Sequence, residues 1–184
     1  YGIQEGSKDD AEELYKKSQK KGSLEGEALF GYLEVESKKK EKEGLKKIIE
    51  SKEAKNSTGL NNYGLVVLNG LCGLSKNKKE AASCFKEAAE AGNPNALYNY
   101  AKCLQKGDGV DKNFREAFKY YKRAFEEGEI SAAKNIAECL FNGDEESGFP
   151  KHLGEGNRYL KILADFGNTI GINLYACNLL EGFG

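Results

Sequence analysis

Apolar residues recur along this chain at helical spacing, in pairs of short segments. In 94–106, Ala96, Tyr100, Cys103 and Leu104 fall at i, i+4, i+7 and i+8, which is one face of a helix. In 114–127, Ala117, Tyr120, Tyr121 and Ala124 form a second such face. No segment shows convincing strand alternation. The segment boundaries carry their own signals. Asn93-Pro94 puts a capping residue before a proline at the first helical position. Asn77…Glu80, Asn113…Glu116 and Ser7…Asp10 have the spacing of a capping box. Gly92, Gly107, Gly128 and Gly143 fall where a helix must end in a left-handed conformation. Together these patterns predict about ten helices, at 9–21, 24–36, 41–54, 58–69, 77–91, 94–106, 113–127, 130–142, 154–166 and 169–181.

The helices repeat. One column reads Phe30, Tyr63, Tyr100, Ile136 and Tyr175, and the next residue is Gly31, Gly64, Ala101, Ala137 and Ala176. A second column reads Ala11, Gly44, Ala81, Ala117 and Gly156. Four residues later come Tyr15, Ile48, Phe85, Tyr121 and Leu160, and eleven later Gly22, Lys55, Gly92, Gly128 and Gly167. The small residue beside each large one lets a neighbouring helix approach closely. One hairpin cannot bury its apolar face alone, so such units must stack. The expected organisation is a single array over 1–184. Its hairpin units lie at about 23–55, 56–92, 93–128 and 129–167, with partial units at 1–22 and 168–184.

At these columns the sequence resembles the Sel-one-like repeat family, a relative of the tetratricopeptide repeats. Residues 96–128 read ALYNYAKCLQKGDGVDKNFREAFKYYKRAFEEG. Ala96, Gly107, Gly109, Val110, Ala117, Ala124 and Gly128 match the family pattern directly. The resemblance is strong over 56–167 and degenerate in 23–55, where Glu34 occupies an apolar column and Lys55 replaces the terminal glycine. Both ends cut the period, so the natural protein is expected to continue on at least one side. The resemblance implies an all-α fold, a right-handed superhelical solenoid of antiparallel α-hairpins. It also implies a role in assembling or positioning other proteins.

Composition narrows the function classes. Lys and Arg number 28 against 29 Asp and Glu, a formal net charge of −1. Phosphate binding needs concentrated positive charge, so nucleic acid is disfavoured. No apolar run is long enough to span a bilayer, so no membrane insertion is expected. A single His, His152, leaves no two-histidine metal site or dyad. The five cysteines form no C-x-x-C, and they lack the regular pairs that staple secreted proteins of the resembled family. That favours a reducing, intracellular compartment, the cytoplasm. Cys103 and Cys139 share a column facing the core, and sequence leaves open a meeting of Cys72 and Cys84. The Lys38–Lys40 and Lys46-Lys47 runs are interleaved with Glu34, Glu36, Glu41, Glu43 and Glu50, so 34–50 reads as a solvated face. Gly107-Asp108-Gly109 lacks the Lys-Ser/Thr of a phosphate loop. No catalytic, cofactor-binding or metal-binding residue is assigned.

Candidate partner-binding residues follow from the resemblance, which places the first helix of each hairpin on the concave side. Opposite the core columns lie Tyr32, Leu65, Leu68, Tyr98 and Phe141, apolar where water is expected. They form either a groove for a helix or extended peptide, or contacts between adjacent first helices. Asn62, Asn99 and Asn135 form a second column. Their amides either bond a bound peptide backbone, or bond within the repeat or to water. The loop 143–154 is longer than its counterparts and carries His152, most simply a solvated side chain. The leading expectation is a non-catalytic protein–protein interaction scaffold that binds a protein or peptide partner on its concave surface. The alternative is a regulatory or targeting module of a longer enzyme, such as a kinase or ubiquitin-ligase component. An RNA-binding helical repeat is disfavoured, because Lys102 and Lys134 are balanced by Glu138. End-to-end self-association of the truncated array is a further expectation.

Overall fold

The computed structural model describes residues 23–36, 38, 40–144 and 148–182, together with Glu13 and Lys17. Nine helices run through the described residues: α1 (Leu24–Glu36), α2 (Glu41–Glu53), α3 (Ser57–Asn69), α4 (Lys78–Glu90), α5 (Pro94–Lys106), α6 (Phe114–Glu126), α7 (Ala132–Asn142), α8 (Leu153–Asp165) and α9 (Thr169–Leu180). The expected helix at 9–21 and the Ser7…Asp10 capping box lie outside the described residues, apart from Glu13 and Lys17. These two are helical and ion-paired at 2.7 Å. One antiparallel bridge, Asp144 with Phe149, is the only non-helical pairing among the described residues.

The caps explain why the helices begin and end where they do. Asn56, Asn77, Asn93, Asn113 and Asn168 each accept a hydrogen bond from the backbone N–H three residues on, at 2.9–3.1 Å. Each satisfies a donor that the first helical turn leaves unpaired. The Asn77–Glu80 box closes through the side chains, Asn77 Nδ2 donating to Glu80 Oε2 at 3.0 Å. At the other end, Gly92, Gly107, Gly128 and Gly143 all take positive φ. Lys55, in the column of Gly92 and Gly128, is held at φ 55°. A side chain there costs about 1 kcal/mol that glycine avoids.

The chain divides into two compact units, 1–96 and 97–184. In the first, consecutive helices α1 to α4 pack in order, and α1 also reaches α3. Val35, Ile48 and Val66 form its buried centre, with Tyr32, Leu45 and Tyr63 against them. The small column does what the sequence predicts. A Cβ on Gly31 would lie 2.7 Å from Gly44 O, and one on Gly64 would lie 2.6 Å from the Phe85 ring. Glu34 departs from the expected solvated face. It is only 8% exposed, and Lys47 Nζ reaches its Oε2 at 2.6 Å. The flanking charges do behave as surface pairs, Lys40 with Glu43 and Lys46 with Glu50.

In the second unit, α6 packs on α7, α7 on α8, and α8 on α9. Ala133, Ala137, Leu160 and Leu163 form a buried cluster flanked by Phe125, Tyr159 and Tyr175. Tyr121 is fully buried. The long loop after α7 folds back on itself. Asp144 and Phe149 exchange both backbone hydrogen bonds at 2.8 Å, and the Phe149 ring sits 4.9 Å from Phe118 and 5.7 Å from Phe114. Arg115 also donates to Gly148 O at 3.3 Å. The insertion is therefore anchored on α6. All five cysteines are free thiols, so Cys72 and Cys84 do not pair; Cys103 and Cys139 are buried.

Candidate interaction surface

The second unit carries an open cleft of about 670 Å³. First helices of successive hairpins supply most of its wall: Tyr98, Lys102, Gln105 and Lys106 from α5, Lys134, Asn135 and Glu138 from α7, and Ile170 from α9. The 3.6-residue period accounts for the sets within α5 and α7. Residues 98, 102 and 105, and 134, 135 and 138, each share one side of a helix.

The floor of the cleft is a connected polar network. Tyr121, from α6, donates its hydroxyl to Gln105 Oε1 at 2.7 Å. Asn135 Nδ2 donates to the same Tyr121 oxygen at 3.3 Å, and Tyr98 donates to Asn135 Oδ1 at 3.3 Å. The Tyr98 and Tyr121 rings lie 5.7 Å apart. Burial pushes the Tyr121 hydroxyl far above the ordinary tyrosine range, with further upward pushes from Cys139 and Tyr98. The Tyr98 hydroxyl is also raised, first by burial and then by Glu129 and Glu138. Both phenols therefore stay protonated donors at neutral pH. A network this well satisfied fixes the relative placement of α5, α6 and α7.

The remaining candidate residues fall in different settings. Tyr32, Leu65 and Leu68 are half-buried in the first unit, and Tyr32 packs on the Val35–Ile48–Val66 centre. Phe141 turns into its own hairpin: a Cβ on Gly156 would lie 2.6 Å from its ring. Asn62 is buried and donates to Ala28 O at 3.1 Å, which commits its amide to the packing of α3 on α1. Asn99 is half-buried. Asn135 uses both ends of its amide in the floor network. Of the eight candidates, Tyr98 and Asn135 line the cleft. Gln105, Tyr121 and Ile170 were not among the eight. Gln105 was legible as the member of its face one turn beyond Lys102, whereas Tyr121 belongs to a second helix and reads as core.

A second cluster of titratable groups lies in the first unit. Tyr63 donates to Glu80 Oε1 at 2.9 Å, while Lys52 Nζ stands 3.6 Å from the Tyr63 ring centroid. Burial, then Glu80, pushes Tyr63 up to about 12. The neighbouring Cys84 thiol is likewise raised by burial. A raised thiol is a poor nucleophile, so the cluster has a packing character. Among the described residues no three His, Cys, Asp or Glu side chains gather as a metal site, and no helix is long and apolar enough to cross a membrane.

A family model for the Sel1 repeat matches residues 57–93 and 94–129. Among solved structures, a Sel1 repeat protein from Oxalobacter formigenes superposes with a TM-score of 0.73 at 24% sequence identity, over 95% of this chain and 69% of that one. Cysteine rich protein B of Helicobacter pylori superposes with a TM-score of 0.54 at 21% identity, over 69% of this chain and 96% of that one. No curated protein matches the sequence. Residues 57–129 thus match two Sel1 repeats, and the chain has the all-α, hairpin-stacking fold of Sel1 repeat proteins. Proteins built from these repeats are generally protein-interaction scaffolds, and the fold is typically non-catalytic.

Proposed function

We propose that this chain is a non-catalytic interaction scaffold that holds a segment of a partner protein against its first helices. The observation that carries this reading is the cleft of residues 97–184, whose walls come from three successive first helices. Its floor is fixed by the Tyr98–Asn135–Tyr121–Gln105 network before any partner arrives. Such preorganisation lowers the ordering cost of binding. Ile170, 52% exposed on the cleft wall, offers an apolar contact.

The test is affinity capture with the whole chain as bait, beside an Ile170→Asp variant whose helicity is confirmed by circular dichroism. Ile170 is exposed, so the change spares the core. A partner retained by the parent and lost by the variant supports the cleft. Equal retention by both removes it as the binding face.

A further inference from the structure

We infer that the cleft of residues 97–184 recognises an extended peptide segment rich in Asp and Glu, with one apolar side chain among them. This rests on the scaffold reading above and adds the chemistry of the partner. The cleft wall holds three ammonium groups, on Lys102, Lys106 and Lys134, against one carboxylate, on Glu138. Among the described residues, none of the three lysines has a carboxylate within 4.0 Å. Elsewhere on the chain, Lys40, Lys46, Lys47 and Lys119 all do. The other acid that acts on Tyr98, Glu129, is already engaged, its Oε1 accepting the Ser131 backbone N–H at 3.1 Å.

Two placements make this charge more than a solvated surface. Lys134 is the third residue of α7. A cation in the first turn opposes the helix dipole, so it is placed against its own helix. An anion in the cleft relieves that conflict. Lys102 lies with its Nζ 5.4 Å from the Tyr98 ring centroid, over the polar floor. The Tyr98 and Tyr121 hydroxyls, the Asn135 amide and the Gln105 carbonyl oxygen are already bonded to one another, so the three ammonium groups dominate the charge the cleft offers. Ile170 supplies the apolar part of the same wall. A segment that matches this surface presents carboxylates to the lysines and an apolar side chain to Ile170.

The experiment selects binders from a random linear-peptide library displayed against the whole chain. Fluorescence anisotropy then measures the enriched peptides on the parent, on Lys102→Glu/Lys134→Glu and on Ile170→Asp. The expected result is enrichment of Asp and Glu around an apolar residue. Affinity should fall on the order of tenfold in the lysine variant and weaken with added salt. Binders lost in Ile170→Asp, yet without acidic bias and indifferent to the lysine variant, overturn this inference and leave the scaffold reading standing. Binders indifferent to both variants, or recovery of no peptide, overturn both. Displacement of an acidic peptide by a single-stranded RNA oligonucleotide of equal length and at equal concentration also overturns it, since the cleft would then be an unselective polyanion site.

Discussion

Lys47 Nζ lies 2.6 Å from Glu34 Oε2, and the same ammonium stands 4.3 Å from the Phe30 ring centroid. This lysine pairs an acid that stands in an apolar column of α1. Glu34 carries a charge at a position where the other hairpins place Val67, Leu104 and Leu140. Truncating Lys47 removes the 2.6 Å ion pair of that buried charge. Lys47→Ala is expected to destabilise the chain by about 3 kcal/mol, whereas Glu34→Leu with Lys47→Leu should be close to neutral. Urea unfolding of the two variants checks the difference. An equal loss in both shows that the pair is not what holds the site.

Gly64 and Phe85 interlock in the second hairpin. Alanine is a better helix former than glycine by about 1 kcal/mol, so propensity alone predicts that Gly64→Ala stabilises α3. The Cβ, however, would sit 2.6 Å from the ring of a fully buried Phe85. Overpacking of that kind costs about 1–3 kcal/mol, so the clash should win. Adding Phe85→Leu should recover part of the loss, which a melting series over the single and double variants reads directly.

The helix positions were legible because the period is joined by a capping Asn before α3, α4, α5, α6 and α9, and by a terminal Gly after several helices. For α5, the expected 94–106 and the observed Pro94–Lys106 coincide. The direction of individual columns was harder to read. Phe141 follows the small Ala137 by four residues, so the two share a face, and that face meets the second helix of its own hairpin at Gly156. Asn62 likewise follows Thr58 by four residues, and both are buried, with Asn62 bonded to α1. A first helix in a stack is contacted on more than one side, so its buried arc is wider than one stripe. The apolar column of Glu34 signalled its burial, but its partner Lys47 was illegible, being 13 residues away and in another helix.

The repeat itself suggests a stabilising change and its destabilising reciprocal. Lys55 occupies the terminal glycine column at φ 55°, and it is exposed, with no contact to lose. Lys55→Gly should add about 1 kcal/mol. The reciprocal Gly92→Lys should remove a similar amount. Thermal melts of both variants, read for opposite shifts, are the check.

His152 stands at the N-cap of α8, where it makes no side-chain capping bond. Its backbone N–H donates to Leu140 O at 2.7 Å, as Asn113 does to Leu104 O and Asn77 to Val67 O. Those two asparagines cap α6 and α4. His152→Asn should therefore supply the missing cap and add about 1 kcal/mol. A rise in the denaturant midpoint at unchanged slope is the expected outcome; no change would mean that the backbone here cannot close the cap.

Alkaline pH should weaken the fold, and the sign follows from the buried acids. Burial, then Glu138, raises the Cys139 thiol from 9.0 to about 12, and burial, then Glu80, raises Tyr63 from 10.0 to about 12. Both groups are neutral when protonated, and the folded chain holds those protons to higher pH than the unfolded chain does. Their contribution is complete below about pH 9. It is lost as pH rises from the ordinary values toward the raised ones, because the folded state then binds more protons than the unfolded state. The melting temperature should fall from about pH 9 upward, and more steeply once the tyrosines begin to titrate near 10. Cys139→Ala lowers stability at neutral pH by opening a small cavity, yet it should flatten the first part of this decline. A decline of unchanged steepness in Cys139→Ala would assign the alkaline sensitivity to the other raised groups, the tyrosines and the Cys72 and Cys84 thiols.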